Sequence, residues 1–297
     1  MEIYLTPKIS CPAMTLFFKM VYKEYRHLNV GKRAKDDSNK ITLLGVTLEP
    51  NVSKGQILFL PGFSGNFEDY SAHFLEALAE TFRVDAYNYR GHPGSKGKFN
   101  TARTLDDTEL ILDKIDNPVL ILAQSYGANL AARLEPDKVK STYCLTPLFD
   151  LQMLPILQRV GVNILNVTGY LPGILPTIDY IFDSTGIAKK AGFPNTHPLQ
   201  SFAQLAKLKK TPHNKPTAFA LADNDEILST RNNVARYIHL VDQIKTVYPH
   251  AKNRSELVRG LNHCLNLTKG DFVPFLKPEK GKDSDKIIED IVNFFSD

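Results

Sequence analysis

The residues Ala123-Gln124-Ser125-Tyr126-Gly127 set one hydroxyl between two small residues. They stand where an unbroken apolar run, Val119 to Ala123, meets a run of small and helix-forming residues, Ala128 to Leu134. An apolar run without alternation reads as a strand covered on both faces. Ser125 is therefore expected on a tight strand-to-helix turn. Such a turn strains the backbone and lifts the hydroxyl above the sheet edge, and small residues two before and two after it avoid a clash. A hydroxyl raised in this way can attack a carbonyl carbon if a neighbouring base takes its proton. The usual pattern is Gly-x-Ser-x-Gly, and Ala123 makes this copy degenerate at its first position. Taken alone, the same residues also fit a serine that caps a helix N-terminus.

Two further candidates follow later strands. Pro216 to Ala222 is strand-like and runs into Asp223-Asn224-Asp225-Glu226-Ile227-Leu228. Of the eight histidines, His263 comes after these acids and, near the C-terminus, just past the region Ile244 to Val258, which is expected to contain the last strand although Pro249 to Asn253 interrupts it. His239 falls within a helix and His250 in a loop. Serine, acid and histidine thus each come after a strand, in that order.

The elements that must position them alternate. Ile41 to Leu48 reads as a strand interrupted by Gly45, and Gln56 to Leu60 as a second, buried one that ends in Pro61-Gly62-Phe63-Ser64-Gly65-Asn66. A helix follows with Tyr70, Phe74, Leu75 and Leu78 on one stripe. Arg83 to Asn88 is the next strand, leading into Tyr89-Arg90-Gly91-His92-Pro93-Gly94-Ser95, a loop of turn formers. Thr104 is expected to cap a helix, with Asp107 three residues on as in a capping box. After the Ser125 helix comes a strand from Val139 to Leu145. Regular strand–helix alternation argues for a parallel sheet covered on both faces.

The alternation stops at Leu148. From there to about Pro212, apolar segments such as Leu151 to Leu165 are broken by Pro and Gly, the composition of a helical cap inserted over the sheet edge or else of further ordinary core helices. Strand and helix then resume, with Val234, Tyr237, Ile238 and Val241 expected on the inner side of one helix and Ile287, Ile288, Ile291, Val292 and Phe295 on that of the last. Residues 1–40 are expected to hold an amphipathic helix, with Met14, Phe17, Phe18, Val21, Tyr22 and Tyr25 on one face, and a polar linker. That face either docks on the protein's own core or lies on a membrane surface. The expected organisation is thus 1–40, a core in two parts (41–147 and 213–297), and a cap at 148–212.

Composition narrows the class. A chain of 297 residues with 43% hydrophobic content can bury a sizeable core, and its net charge of +4 comes with no basic run dense enough for a nucleic-acid groove. Three scattered cysteines, Cys11, Cys144 and Cys264, suit neither a disulfide framework nor a zinc site. No cofactor is implied. Met1-Glu2-Ile3-Tyr4 lacks the layout of a secretory signal, and no apolar run approaches the roughly 18 residues that span a bilayer. A cytoplasmic location, with peripheral membrane contact through the N-terminal helix or the cap, is the expectation.

The order Ser125, Asp225, His263 resembles the α/β-hydrolase superfamily from Ile41 to the C-terminus, with 148–212 in the place of its variable lid. Within it, Pro61-Gly62-Phe63, Arg90-Gly91-His92-Pro93-Gly94-Ser95, Ala123-Gln124-Ser125-Tyr126-Gly127 and Asp225-Glu226-Ile227 look most like the monoacylglycerol lipase, lysophospholipase and serine aminopeptidase group. The resemblance implies an α/β-hydrolase fold: a mostly parallel sheet, helices on both faces, an inserted cap. It implies Ser125 as nucleophile, His263 as base, Asp225 as the acid that orients it, and the backbone N–H groups of Phe63 and Tyr126 as the oxyanion hole. Asp225 precedes the apolar pair Ile227-Leu228 as the family's acid does, leaving Asp223 to shape the turn. Pro61 stands where the family often has His. The implied substrate is a small acyl ester or lipid; thioester or peptide substrates, and a binding protein that keeps the fold without turnover, remain open.

Overall fold

The computed structural model describes residues 2–6, 19–29, 42–62, 66–70, 72–97, 99, 101–115, 118–155, 214–225, 227–230, 232–249, 254–265, 267 and 285–297. Among them are the strands β1 Glu2–Thr6, β2 Lys19–Asn29, β3 Thr42–Pro50, β4 Gln56–Leu60, β5 Arg83–Tyr87, β6 Val119–Gln124, β7 Val139–Leu145, β8 Thr217–Ala222 and β9 Arg254–Val258. The helices are α1 Ala72–Ala79, α2 Thr101–Leu112, α3 Tyr126–Ala131, α4 Val234–Val247 and α5 Asp285–Ser296.

The strands form one sheet in the order β1-β2-β3-β5-β4-β6-β7-β8-β9. From β5 through β9 every pairing is parallel, while β1, β2 and β3 run antiparallel to their neighbours. The parallel strands are apolar on both faces because each face is roofed by helices. Leu58, Ile121, Cys144 and Phe219 point into a layer shared with Leu112, Leu130 and Leu240 of α2, α3 and α4. Ile57, Phe59, Leu122 and Leu145 point the other way, onto Phe74 and Leu78 of α1 and Ile291 and Phe295 of α5. The chain leaves β4 toward β5 on one side and returns to β6 on the other, so a crevice opens outside the carboxyl ends of β4 and β6.

Three sequence expectations are corrected. Of the stripe expected on a helix face, Met14, Phe17 and Phe18 lie outside the described residues, and Val21, Tyr22 and Tyr25 are not on a helix: from Lys19 the chain is the strand β2, paired to Asn29 with β3 and over Lys19–Lys23 with β1. Its Val and Tyr residues suit a pleated surface equally well, and the unpaired edge of β3 supplies the hydrogen bonds that select the strand. The helix expected to begin at Thr104 begins at Thr101, which turns Thr104 inward and directs Asp107 toward Arg90 instead of a cap. In α4, Val234 and Ile238 are 72% and 54% exposed, and the buried face is Leu240 and Ile244 with Tyr237 and Val241 beside them. Two apolar stripes with the same i, i+3, i+4, i+7 spacing overlap in that sequence, one starting at Val234 and one at Tyr237, and packing chose the second.

The interruption at Gly45 is not a break. Gly45 pairs with Tyr87, whose ring would lie 2.3 Å from any Cβ there. Of the expected cap, residues 156–212 lie outside the described residues; the first part holds a 3-10 turn at Leu151–Met153, and Leu148, Phe149, Met153 and Leu154 are buried in the core layer of α2 to α4.

Candidate active site

Ser125 leaves β6 with φ 49° and ψ −112°, a conformation that L-residues avoid and that costs about 1–3 kcal/mol. Its neighbours hold it there. The Ser125 N–H donates to the Leu145 carbonyl at 2.9 Å, and the Ser125 carbonyl accepts from the N–H groups of Ala128 and Leu148, both at 3.0 Å. The turn needs a glycine at 127, since a Cβ would lie 2.1 Å from the Leu60 carbonyl oxygen of β4. The capping alternative fails: the Ser125 side chain makes no cap hydrogen bond to α3. Its hydroxyl lies 3.0 Å from His263 Nε2.

His263 sits on the loop that follows β9. Gly260, at φ 75°, starts this loop, and its N–H donates to the Asp223 carboxylate, while the Asn224 N–H donates to the Leu261 carbonyl at 3.2 Å. Asp223 thus ties down the histidine loop. Asp225 reaches the ring itself, with Oδ2 2.7 Å from His263 Nδ1. Its other oxygen, Oδ1, accepts from the N–H groups of Ile227 and Leu228 at 2.8 and 2.7 Å. A carboxylate only accepts, so Nδ1 carries the proton and Nε2 presents its lone pair to the serine hydroxyl. Ser125 and His263 are each 6% exposed and Asp225 is fully buried. The three residues singled out from the sequence therefore converge on one hydrogen-bonded line.

Of the two backbone donors implied for an oxyanion, Tyr126 opens α3 directly after Ser125, and Phe63 lies outside the described residues. The Tyr126 ring packs edge-on against Tyr89 and Phe99, and His92 joins this cluster through the same two rings, its centroid 5.4 Å from that of Tyr89 and 5.5 Å from that of Phe99. Burial there pushes the Tyr89 and Tyr126 hydroxyls up and holds the His92 imidazole down at about 4. Arg90 is buried and makes a two-pronged pair with Asp107 of α2, at 2.6 and 2.5 Å. Ser95 accepts from the Leu44 N–H and donates to the Asn88 carbonyl. Through His92 and the rings of Tyr89 and Phe99, the Arg90–Ser95 loop is packed toward Tyr126, the residue after the serine.

Sequence reasoning missed a group of polar side chains between these parts. Gln124, the last residue of β6, is buried, as are Tyr70 before α1 and Thr146 after β7. They bond to one another and to the His263 carbonyl. The available signal was a lone amide ending an otherwise apolar strand.

A family model described as the alpha/beta hydrolase family matches residues 57–273. The comparison with curated proteins finds no match. Solved structures that the chain resembles include a serine hydrolase involved in carbazole degradation (CarC enzyme), 13% identical with TM-score 0.59, covering 93% of this chain and 99% of that one. An E-2-(acetamidomethylene)succinate hydrolase is 16% identical with TM-score 0.57, over 93% and 100% of the two chains. An epoxide hydrolase from Vigna radiata is 18% identical with TM-score 0.56, over 92% and 96%. At these identities the likeness establishes the fold.

Proposed function

The chain belongs to the alpha/beta hydrolase family, and on that footing we propose that it is a serine hydrolase that cleaves a carboxylic ester with an apolar acyl group through an acyl-enzyme on Ser125. The observation that carries this reading is the relay from Ser125 Oγ to His263 Nε2 at 3.0 Å and from His263 Nδ1 to Asp225 Oδ2 at 2.7 Å.

In this reading His263 takes the hydroxyl proton as Ser125 Oγ bonds to the acyl carbon, and Asp225 stabilises the imidazolium that results. The backbone N–H groups of Tyr126 and Phe63 receive the charge that develops on the carbonyl oxygen. Collapse of the tetrahedral intermediate breaks the acyl–oxygen bond, and His263 gives its proton to the departing alcohol. Water, deprotonated by the same imidazole, then frees the acid and restores Ser125. The apolar composition of 148–212 favours a lysophospholipid or monoacylglycerol as substrate over a sugar or nucleotide ester.

Epoxide opening does not suit this residue set. A serine oxygen adding to an epoxide carbon would leave an ether, which water cannot hydrolyse as it does an ester, so that chemistry needs a carboxylate at position 125.

A fluorophosphonate probe tests the reading. Labelling of the wild type that disappears in Ser125→Ala is the expected result; folded wild type that takes no label overturns it in favour of a binding protein on the same scaffold. Chromogenic esters of increasing chain length, beside a lysophospholipid and an amino-acid amide, then rank the substrates. The expected order puts medium or long acyl esters first; faster cleavage of the amide would make the enzyme an aminopeptidase-like acyl hydrolase.

A further inference from the structure

The buried polar side chains around Gln124 form one continuous chain of hydrogen bonds that links both sides of the site. Gly62, the residue before Phe63, donates its N–H to the Tyr70 hydroxyl at 3.4 Å. Tyr70 donates to Gln124 Oε1 at 2.9 Å. Gln124 Nε2 in turn donates to the His263 backbone carbonyl at 3.2 Å and to Thr146 Oγ1 at 3.4 Å, and Thr146 donates to the same His263 carbonyl at 2.6 Å. The direction of the amide follows from chemistry: a carbonyl cannot donate, so the NH2 of Gln124 must face His263 and its oxygen must face Tyr70.

Two local features show how tightly this bridge is built. A Cβ on Gly62 would lie 2.0 Å from Gln124 Oε1 and 3.3 Å from the Ser125 Cβ, so glycine alone lets the loop sit against the amide. Thr146 holds φ at 43°, unusual for a β-branched residue, while its N–H donates to the Ala220 carbonyl at 2.7 Å. That conformation aims the hydroxyl at the histidine loop. The bridge stands next to the nucleophile in sequence and touches none of the reacting atoms.

We propose that Gln124, with Tyr70 and Thr146, is a positioning residue that sets the placement of His263 relative to Ser125 and couples it to the Pro61-Gly62 loop. The inference rests on the serine-hydrolase reading and adds to it a source of alignment beyond Asp225. The carbonyl of His263 is held by two donors, Gln124 at the end of β6 and Thr146 just after β7, and Ser125 follows β6 and bonds to Leu145 at the end of β7, so the imidazole is fixed in the same rigid frame as the hydroxyl it must serve. Farther back, the histidine loop is also tied through Asp223 and Asn224, and the ring itself is held by Asp225. Displacements near 1 Å in such a pair typically cost up to about a hundredfold in rate.

The test uses the full chain, a fluorophosphonate probe and p-nitrophenyl butyrate, on wild type, Gln124→Met, Tyr70→Phe and the double variant. Gln124→Met is expected to label to the same endpoint as wild type but roughly ten- to a hundredfold more slowly, with kcat lowered by that factor and KM unchanged. Tyr70→Phe, which cuts only the branch to Gly62, is expected to lose less, and the double variant no more than Gln124→Met. An unchanged endpoint distinguishes slow, intact sites from a fraction of unfolded protein. Folded Gln124→Met that labels within twofold of the wild-type rate overturns the proposal, as does a lowered endpoint that accounts for the whole loss of kcat. Should Gln124→Met fail to fold, Tyr70→Phe at the wild-type rate overturns it instead. Wild type that takes no label removes the hydrolase reading and this inference with it.

Discussion

Replacing Asp225 by asparagine exchanges one oxygen for an NH2 group, and the surroundings leave that amide a single orientation. Oδ1 of Asp225 faces two backbone donors, the N–H groups of Ile227 and Leu228 at 2.8 and 2.7 Å, which only an oxygen can accept. The NH2 of the substituted side chain must then point at His263 Nδ1, where the carboxylate oxygen now lies at 2.7 Å. Facing a donor, Nδ1 must present its lone pair, and the imidazole proton moves to Nε2. That nitrogen stands 3.0 Å from the Ser125 hydroxyl and can no longer take its proton. A wrong tautomer with intact geometry lowers kcat by about 10⁴-fold in a well-studied serine protease, equivalent to about 5 kcal/mol of transition-state stabilisation. Asp225→Asn is therefore expected to fold, with unaltered far-UV circular dichroism, and to hydrolyse p-nitrophenyl butyrate about four orders of magnitude more slowly than wild type. A variant that keeps activity within tenfold of wild type would refute the assignment of Asp225 as the group that sets the tautomer.

Gly127→Ala carries a sign that tests the turn: in an ordinary helix the change stabilises by about 1 kcal/mol, whereas a Cβ 2.1 Å from the Leu60 oxygen should destabilise by about 1–3 kcal/mol or more, read from the urea midpoint. His92 is held near 4 in the fold by burial, below its ordinary 6.5, so its contribution to stability is present above pH 6.5 and is lost as the pH falls toward 4. Between pH 7 and pH 4.5, urea unfolding of wild type should lose on the order of 2 kcal/mol more than that of His92→Leu. Arg90→Met leaves the buried Asp107 carboxylate without its guanidinium and should cost about 3–5 kcal/mol, most of it recovered in the double variant Arg90→Met with Asp107→Leu; equal losses in single and double variants would contradict the pairing.

Much of this molecule was legible in the order of its residues. The strands β4 and β7 run over the residues that the sequence assigns, and β6 only one residue longer; for β4 and β6 this is because an apolar run covered on both faces has few other readings. Ser125 stood out because a strand that turns at once into a helix allows only small residues at 123 and 127. His263 and Asp225 followed from their place after later strands and from the resemblance, and the structure brings both to Ser125.

Where two patterns coexist in one stretch, local sequence carried no preference and long-range pairing decided. Lys19–Tyr25 serves as a helix face or as a strand until the edge of β3 is present to bond it, and α4 has two apolar stripes until the core selects Leu240 and Ile244. Gln124, Tyr70 and Thr146 lie far apart along the chain, and nothing in their spacing marks them as partners. Their bond chain exists only once β4, β6, β7 and the histidine loop are neighbours. Sequence determined which side chains can do chemistry and the strands that carry them, since those depend on local periodicity and steric need; the distances that make them work together depend on hydrogen bonds closed across the sheet, which only the folded chain contains.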